Sequence, residues 1–87
     1  MEYEMEMVRE EERELERIAE LPDAEKWEIG DELLEVVVEK EVELNPREVS
    51  EFMALIKGHH TRDIFRKVIK TAMRVNPERT TEILHSY

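Results

Sequence analysis

The sequence contains no cysteine, which excludes disulfides, thiolate zinc sites and a thiol nucleophile. No apolar run approaches the ~20 residues that a membrane span requires. The N-terminus is acidic where a secretion signal would be basic, so a cytoplasmic chain with no membrane partner is expected. Glutamine is absent and asparagine occurs only at Asn45 and Asn76, while 41% of the residues are charged. Chains stabilised by ion-pair networks and depleted in labile amides often look like this, and a thermophile protein is expected. No glycine-rich phosphate loop, nucleophile elbow or Ser/His/Asp arrangement is present. Neither an enzyme nor a cofactor is therefore expected.

At 87 residues the chain suffices for one small domain, which buries about 60–65% of the surface its unfolded chain exposes. Oligomerisation would help such a domain. The net charge is -10, unevenly spread: residues 1–44 carry 18 acids and 5 bases, residues 45–87 carry 5 acids and 8 bases. Asymmetry of this kind points to a nucleic-acid surface or an acidic partner. An acidic helix neutralising a basic one within the same fold accounts for it equally well.

The periodicities predict an all-α fold, a compact bundle of four to five short helices near 4–20, 24–43, 46–57, 61–75 and 77–85. Residues 1–21 form an acidic N-terminal arm and residues 22–87 the helical domain. In the arm, Met1, Met5, Val8, Leu15 and Ile18 share one helical stripe. Met1, Tyr3, Met5 and Met7 also alternate with glutamate, and Val36, Val38, Val42 and Leu44 alternate with charge. The alternative is thus an α+β fold with strands near 2–8 and 35–44.

Leu21-Pro22-Asp23 is a break, and Asp23 suits an N-cap. Trp27 is expected as a core anchor, on a face with Gly30, Leu33, Leu34, Val37, Val38 and Val42. "LNPREV" and "VNPERT" share one grammar: Asn45 and Asn76 cap, and Pro46 and Pro77 take the first helical position, where no donor is lost. Glu48, three residues after Asn45, has capping-box spacing.

Helix 46–57 offers Val49, Phe52, Met53, Leu55 and Ile56 to a core and closes at Gly58 in a left-handed cap. Thr61 caps the next helix, where Ile64, Phe65, Val68, Ile69, Ala72 and Met73 form an apolar stripe. Arg62, Arg66, Lys70 and Arg74 recur every four residues on the other side, with Lys67 beside them.

Two helices joined by a short glycine turn have the form of a helix–turn–helix. Segment 46–75 resembles that motif. Ala54, four residues before Gly58, is the small residue of close helix packing, and Met53 is its apolar neighbour. His59-His60-Thr61 lengthens the connection by one residue. With that allowance Phe65 and Val68 match buried positions, and Arg66, Lys67 and Lys70 match exposed ones. The Trp27–Gly30–Leu33 spacing and the closing Pro77–Arg79 segment add a resemblance over residues 21–87 to helix–turn–helix DNA-binding domains of plasmid and phage type.

The resemblance implies double-stranded DNA as partner, read in the major groove by helix 61–75 through Arg62, Arg66, Lys67, Lys70 and Arg74. It also implies a homodimer matching two half-sites, with the N-terminal helix as dimer element. The competing expectation is a protein–protein module, an adaptor, antitoxin-like partner or assembly subunit, whose basic face pairs with acidic protein surface. His59, His60 and Asp63 suggest a metal site, but adjacent histidines at a helix start more often cap or face solvent, and no metal is expected. His85 is expected at the surface, in a last helical turn that favours positive charge.

Overall fold

The computed structural model describes residues 13–87, and these hold five helices and no strand. They are α1 (13–19), α2 (Asp23–Glu39), α3 (Pro46–Ile56), α4 (Arg62–Val75) and α5 (Pro77–His85). The all-α expectation holds. The 4–20 helix is present over 13–19, and the possible strand at 2–8 lies outside the described residues.

The caps at the two Asn-Pro starts form as the sequence predicts. Asn45 Oδ1 accepts from the Glu48 amide at 2.9 Å, and Asn76 Oδ1 from the Arg79 amide at 3.2 Å. Asn76 ends α4 and caps α5 at once, leaving no room for a loop between them. Thr61 Oγ1 accepts from the Ile64 amide at 3.3 Å and starts α4.

The turn between α3 and α4 is a Schellman closure. The His59 amide donates to Ala54 O at 3.0 Å and the Gly58 amide to Leu55 O at 3.1 Å. Gly58 supplies the required left-handed backbone, with φ 99°.

Other boundaries differ from expectation. The second helix ends at Glu39 rather than 43, because Lys40 caps it and Glu41 turns into the left-handed region at φ 49°. Residues 42–45 then run outside any regular element, and the strand proposed at 35–44 does not form. Pro22, not Asp23, occupies the N-cap of α2, so no side chain caps that helix. Asp23 lies in the first turn, where its charge still suits the helix dipole.

The core draws on every helix. Leu15 and Ile18 of α1 join Ile29, Leu33, Val36 and Val37 of α2, and Phe52 and Leu55 of α3. Phe65, Val68, Ile69 and Ala72 of α4 and Ile83 and Leu84 of α5 complete it. Helix α4 packs on α2, α3 and α5, so its apolar stripe is the shared wall of the bundle. A fully buried side chain such as Phe65 stabilises the fold by about 1.5–3 kcal/mol through its area alone.

At Gly30 two helices come close: a Cβ there would meet Leu55 Cδ2 at 3.1 Å. A side chain at this point would require Leu55 to shift by a few tenths of an ångström. Two buried threonines, Thr71 and Thr80, satisfy their hydroxyls on the carbonyls of Lys67 and Asn76 one turn back.

Several expected core residues face outward. Val49 and Met53 are both 45% exposed, leaving Phe52 and Leu55 to hold α3. Val38, in the last turn of α2, and Val42, beyond its end, are exposed. Trp27, also 45% exposed, is not a core anchor. Its ring stands edge-on to His60, centroids 5.7 Å apart at 84°, and covers the Gly58 turn.

Candidate nucleic-acid interface

All five sequence-selected cations lie on α4, opposite its buried stripe. At 100° per residue, Arg62, Met73 and Arg66 fall on one flank, Lys67 and Arg74 on the other, and Lys70 and Asp63 between. Met73 therefore belongs to the edge of the basic face, which is why it is 39% exposed instead of joining the core. The two flanks meet different surroundings.

On the α3 side the charge is already matched. Arg74 Nη2 lies 2.8 Å from Glu48 Oε1, and Lys67 Nζ lies 3.9 Å from Glu51 Oε1, which Arg47 Nε also approaches at 3.9 Å. Both carboxylates are largely covered, with side chains 14% and 13% exposed. Glu48 thus serves α4 with its side chain and α3's own N-terminus only through its amide. The expected capping-box return from the Glu48 carboxylate is replaced by the guanidinium of Arg74.

On the other flank and the strip between, Arg62, Arg66 and Lys70 have no carboxylate within 4.0 Å among the described residues. Arg66 and Lys70 border an open groove of about 710 Å³ between α1, α4 and α5. Its floor is Leu15, Ile69 and Leu84, which also belong to the core, and Arg13, Arg66 and Lys70 stand around it. The one carboxylate there among the described residues, Glu14, is held by Arg17 at 2.8 Å and approached by His85 Nε2 at 3.8 Å. Arg17 also donates to the carbonyl of Leu84, tying α1 to the end of α5.

The histidines part company. His59 is exposed, whereas His60, expected to cap or face solvent, is buried with its side chain only 8% exposed. It fits between Trp27 and Phe65; its Nδ1 stands 4.0 Å from Asp23 Oδ1, and its Nε2 has no hydrogen-bond partner among the described residues. The added turn residue has been turned inward as packing. Glu82 and His85 have a one-turn spacing on α5, but the described residues hold no group of three or more side chains placed to share a metal ion.

Sequence reasoning selected the α4 cations from their period, gave Glu48 a capping role instead of an ion pair, and passed over Glu51 as a partner and Arg13 as a groove residue. The signal for the two glutamates was present: three residues apart on α3, they share a face that any helix pairing with α4 must present. Among the described residues no helix is long and apolar enough to cross a membrane. Comparison of the chain with protein-family models, with curated proteins and with solved structures finds no match in any of the three.

Proposed function

We propose that the protein binds double-stranded DNA through α4, with Arg62, Arg66 and Lys70 on phosphates and α3 as the supporting helix of a helix–turn–helix-like pair. The observation that carries this reading is a row of three cations one turn apart, Arg62 and Lys70 exposed and Arg66 partly buried, free of carboxylates among the described residues, on a helix anchored by its opposite face. Cations so placed release condensed counterions from a duplex, which supplies most non-specific affinity. Lys67 and Arg74 contribute less, since their charges are matched by Glu51 and Glu48. Asp63 in the first turn of α4 opposes phosphate there and suits a base-edge donor such as the cytosine amino group.

Fluorescence anisotropy with a mixed-sequence duplex of about 30 bp tests this. Three engaged cations predict a loss of roughly 40-fold in affinity between 50 and 200 mM salt, where five would give roughly 500-fold. Arg66→Glu with Lys70→Glu is expected to abolish binding. Binding that survives this double reversal excludes the face.

A second reading, a protein–protein module, is favoured by the Glu48–Arg74 and Glu51–Lys67 pairs, in which the same helix already accepts protein carboxylates. It predicts no duplex affinity at 50 mM salt.

A further inference from the structure

Of the six large apolar side chains exposed among the described residues, four lie on α2 and α3: Trp27, Val38, Val49 and Met53. At 100° per residue, Trp27 and Val38 share one strip of α2 with the part-buried Leu34, about 40° wide. Val49 and Met53 share one strip of α3 with the part-buried Ile56, about 60° wide. The two strips adjoin. Helices α2 and α3 run antiparallel, because Gly30 meets Leu55, and Trp27, near the start of α2, covers Gly58, just past the end of α3. The α2 strip lies beside Gly30, its contact with α3, and the α3 strip lies on the flank opposite Glu51, which reaches α4. Together they make an apolar band along the outer side of the α2–α3 seam. A contiguous apolar band with a charged rim is the mark of an interaction surface.

The two edges of the band carry opposite charge. Beyond the α2 strip stand the exposed Asp31 and Glu35; beyond the α3 strip stand the exposed Arg47 and Lys57. The Arg47 side chain is 84% exposed even though its Nε lies 3.9 Å from Glu51. We propose that this face binds a second copy of itself, with α2 of each protomer antiparallel over α3 of its partner in a four-helix bundle. A two-fold axis along the helices gives this arrangement and sets each acidic edge against the partner's basic edge. The other two-fold arrangement stacks α2 on α2 and α3 on α3. It brings Asp31 and Glu35 against their own symmetry mates, and like-charge repulsion disfavours it. The apolar band is common to both arrangements; the charges choose between them.

The band shares no residue with Arg62, Arg66 and Lys70 on α4. The inference therefore does not rest on DNA binding, and its test contains no DNA.

Trp27 is the chain's one tryptophan, so its fluorescence reports on the band directly. Sedimentation equilibrium of the full chain should show monomer and dimer exchanging in the micromolar range. Trp27 emission should shift to the blue over the same concentrations, as water leaves its ring. A parent that stays monomeric would overturn the inference and leave the band to another protein or to residues 1–12 of the same chain. A dimer that forms with Trp27 emission unchanged would overturn it too, since the contact then lies elsewhere. Two variants test the charge pattern. Asp31→Lys with Glu35→Lys sets bases against bases and should weaken self-association at least about tenfold, whereas like-on-like stacking would leave it unchanged. Adding Arg47→Glu and Lys57→Glu to the same chain reverses both edges and should restore the dimer to within about threefold of the parent. An undiminished first variant or an unrestored second would each overturn the inference. Circular dichroism checks that both variants fold.

Discussion

Arg74 Nη2 lies 2.8 Å from Glu48 Oε1, tying the last turn of α4 to the first turn of α3. Together with Lys67 and Glu51 at 3.9 Å, this link converts one flank of the basic helix from a free surface into an intramolecular contact. Among the described residues, it divides five cations that look equivalent in sequence into two that are matched and three that are not.

Neutralising the carboxylates should return the matched pair to the surface. Glu48→Gln with Glu51→Gln is expected to steepen the log–log dependence of DNA affinity on salt from roughly -2.7 to roughly -4.5, about -0.9 for each phosphate contact. The loss of stability should be small, ~1 kcal/mol or less per pair, as for other partly exposed ion pairs. An unchanged slope would show that Lys67 and Arg74 do not face the duplex.

His60 carries a buried Nε2 with no partner among the described residues, between the rings of Trp27 and Phe65. Replacing it by an apolar side chain removes the cost of an unsatisfied polar atom. His60→Leu is expected to stabilise the fold by about 1 kcal/mol and to raise Tm by about 4–8 °C. Thermal unfolding at neutral pH measures this. A lowered Tm would mean that the approach of Nδ1 to Asp23 outweighs the orphaned atom.

The α3–α4 turn depends on Gly58, whose φ of 99° an L side chain rarely adopts. A Cβ there would meet Trp27 only at ordinary contact distance, 3.7 Å, so the expected penalty comes from the backbone alone. Gly58→Ala should cost about 1–2 kcal/mol, and Gly58→Asn less, because asparagine tolerates this region better. Urea unfolding should rank the three chains in that order. Equal stabilities would mean that the Schellman closure is not required.

Tyr87 clasps the end of the chain to α2, its hydroxyl donating to Glu32 at 3.2 Å and reaching Glu28 at 3.4 Å. Partial burial, the charge of Glu32 and the bond to it, and then Glu28, raise its pKa to about 12 from the ordinary 10.0. The folded state thus holds the phenol proton more tightly than the unfolded chain does. Its contribution is fully present below pH 10 and is lost as pH rises through about 12. Denaturant titrations of the parent and Tyr87→Phe should therefore differ in slope against pH only between those values. Parallel curves across that window would show that the clasp does not form.

The sequence by itself determined the starts of α3, α4 and α5, because their caps are local. It left strands near 35–44 open and placed the start of α2 one residue late. Asn45-Pro46, Thr61 and Asn76-Pro77 place caps within three residues of the amides they bind, and Gly58 is read the same way. The core stripe of α4 was equally legible, since Phe65, Val68, Ile69 and Ala72 follow the helical period. Only the tertiary structure decided what each outward side chain meets. Val49 and Met53 have the same local pattern as Phe52 and Leu55, yet the position of α2 and α4 buries only the latter pair. His60 is polar in sequence and buried in the fold because Trp27 and Phe65 close over it. The five cations of α4 share one period, but whether each is matched depends on carboxylates from α3, many residues away in the chain and adjacent only after folding. Capping and periodicity act within a turn of helix; burial and charge pairing depend on which helices become neighbours.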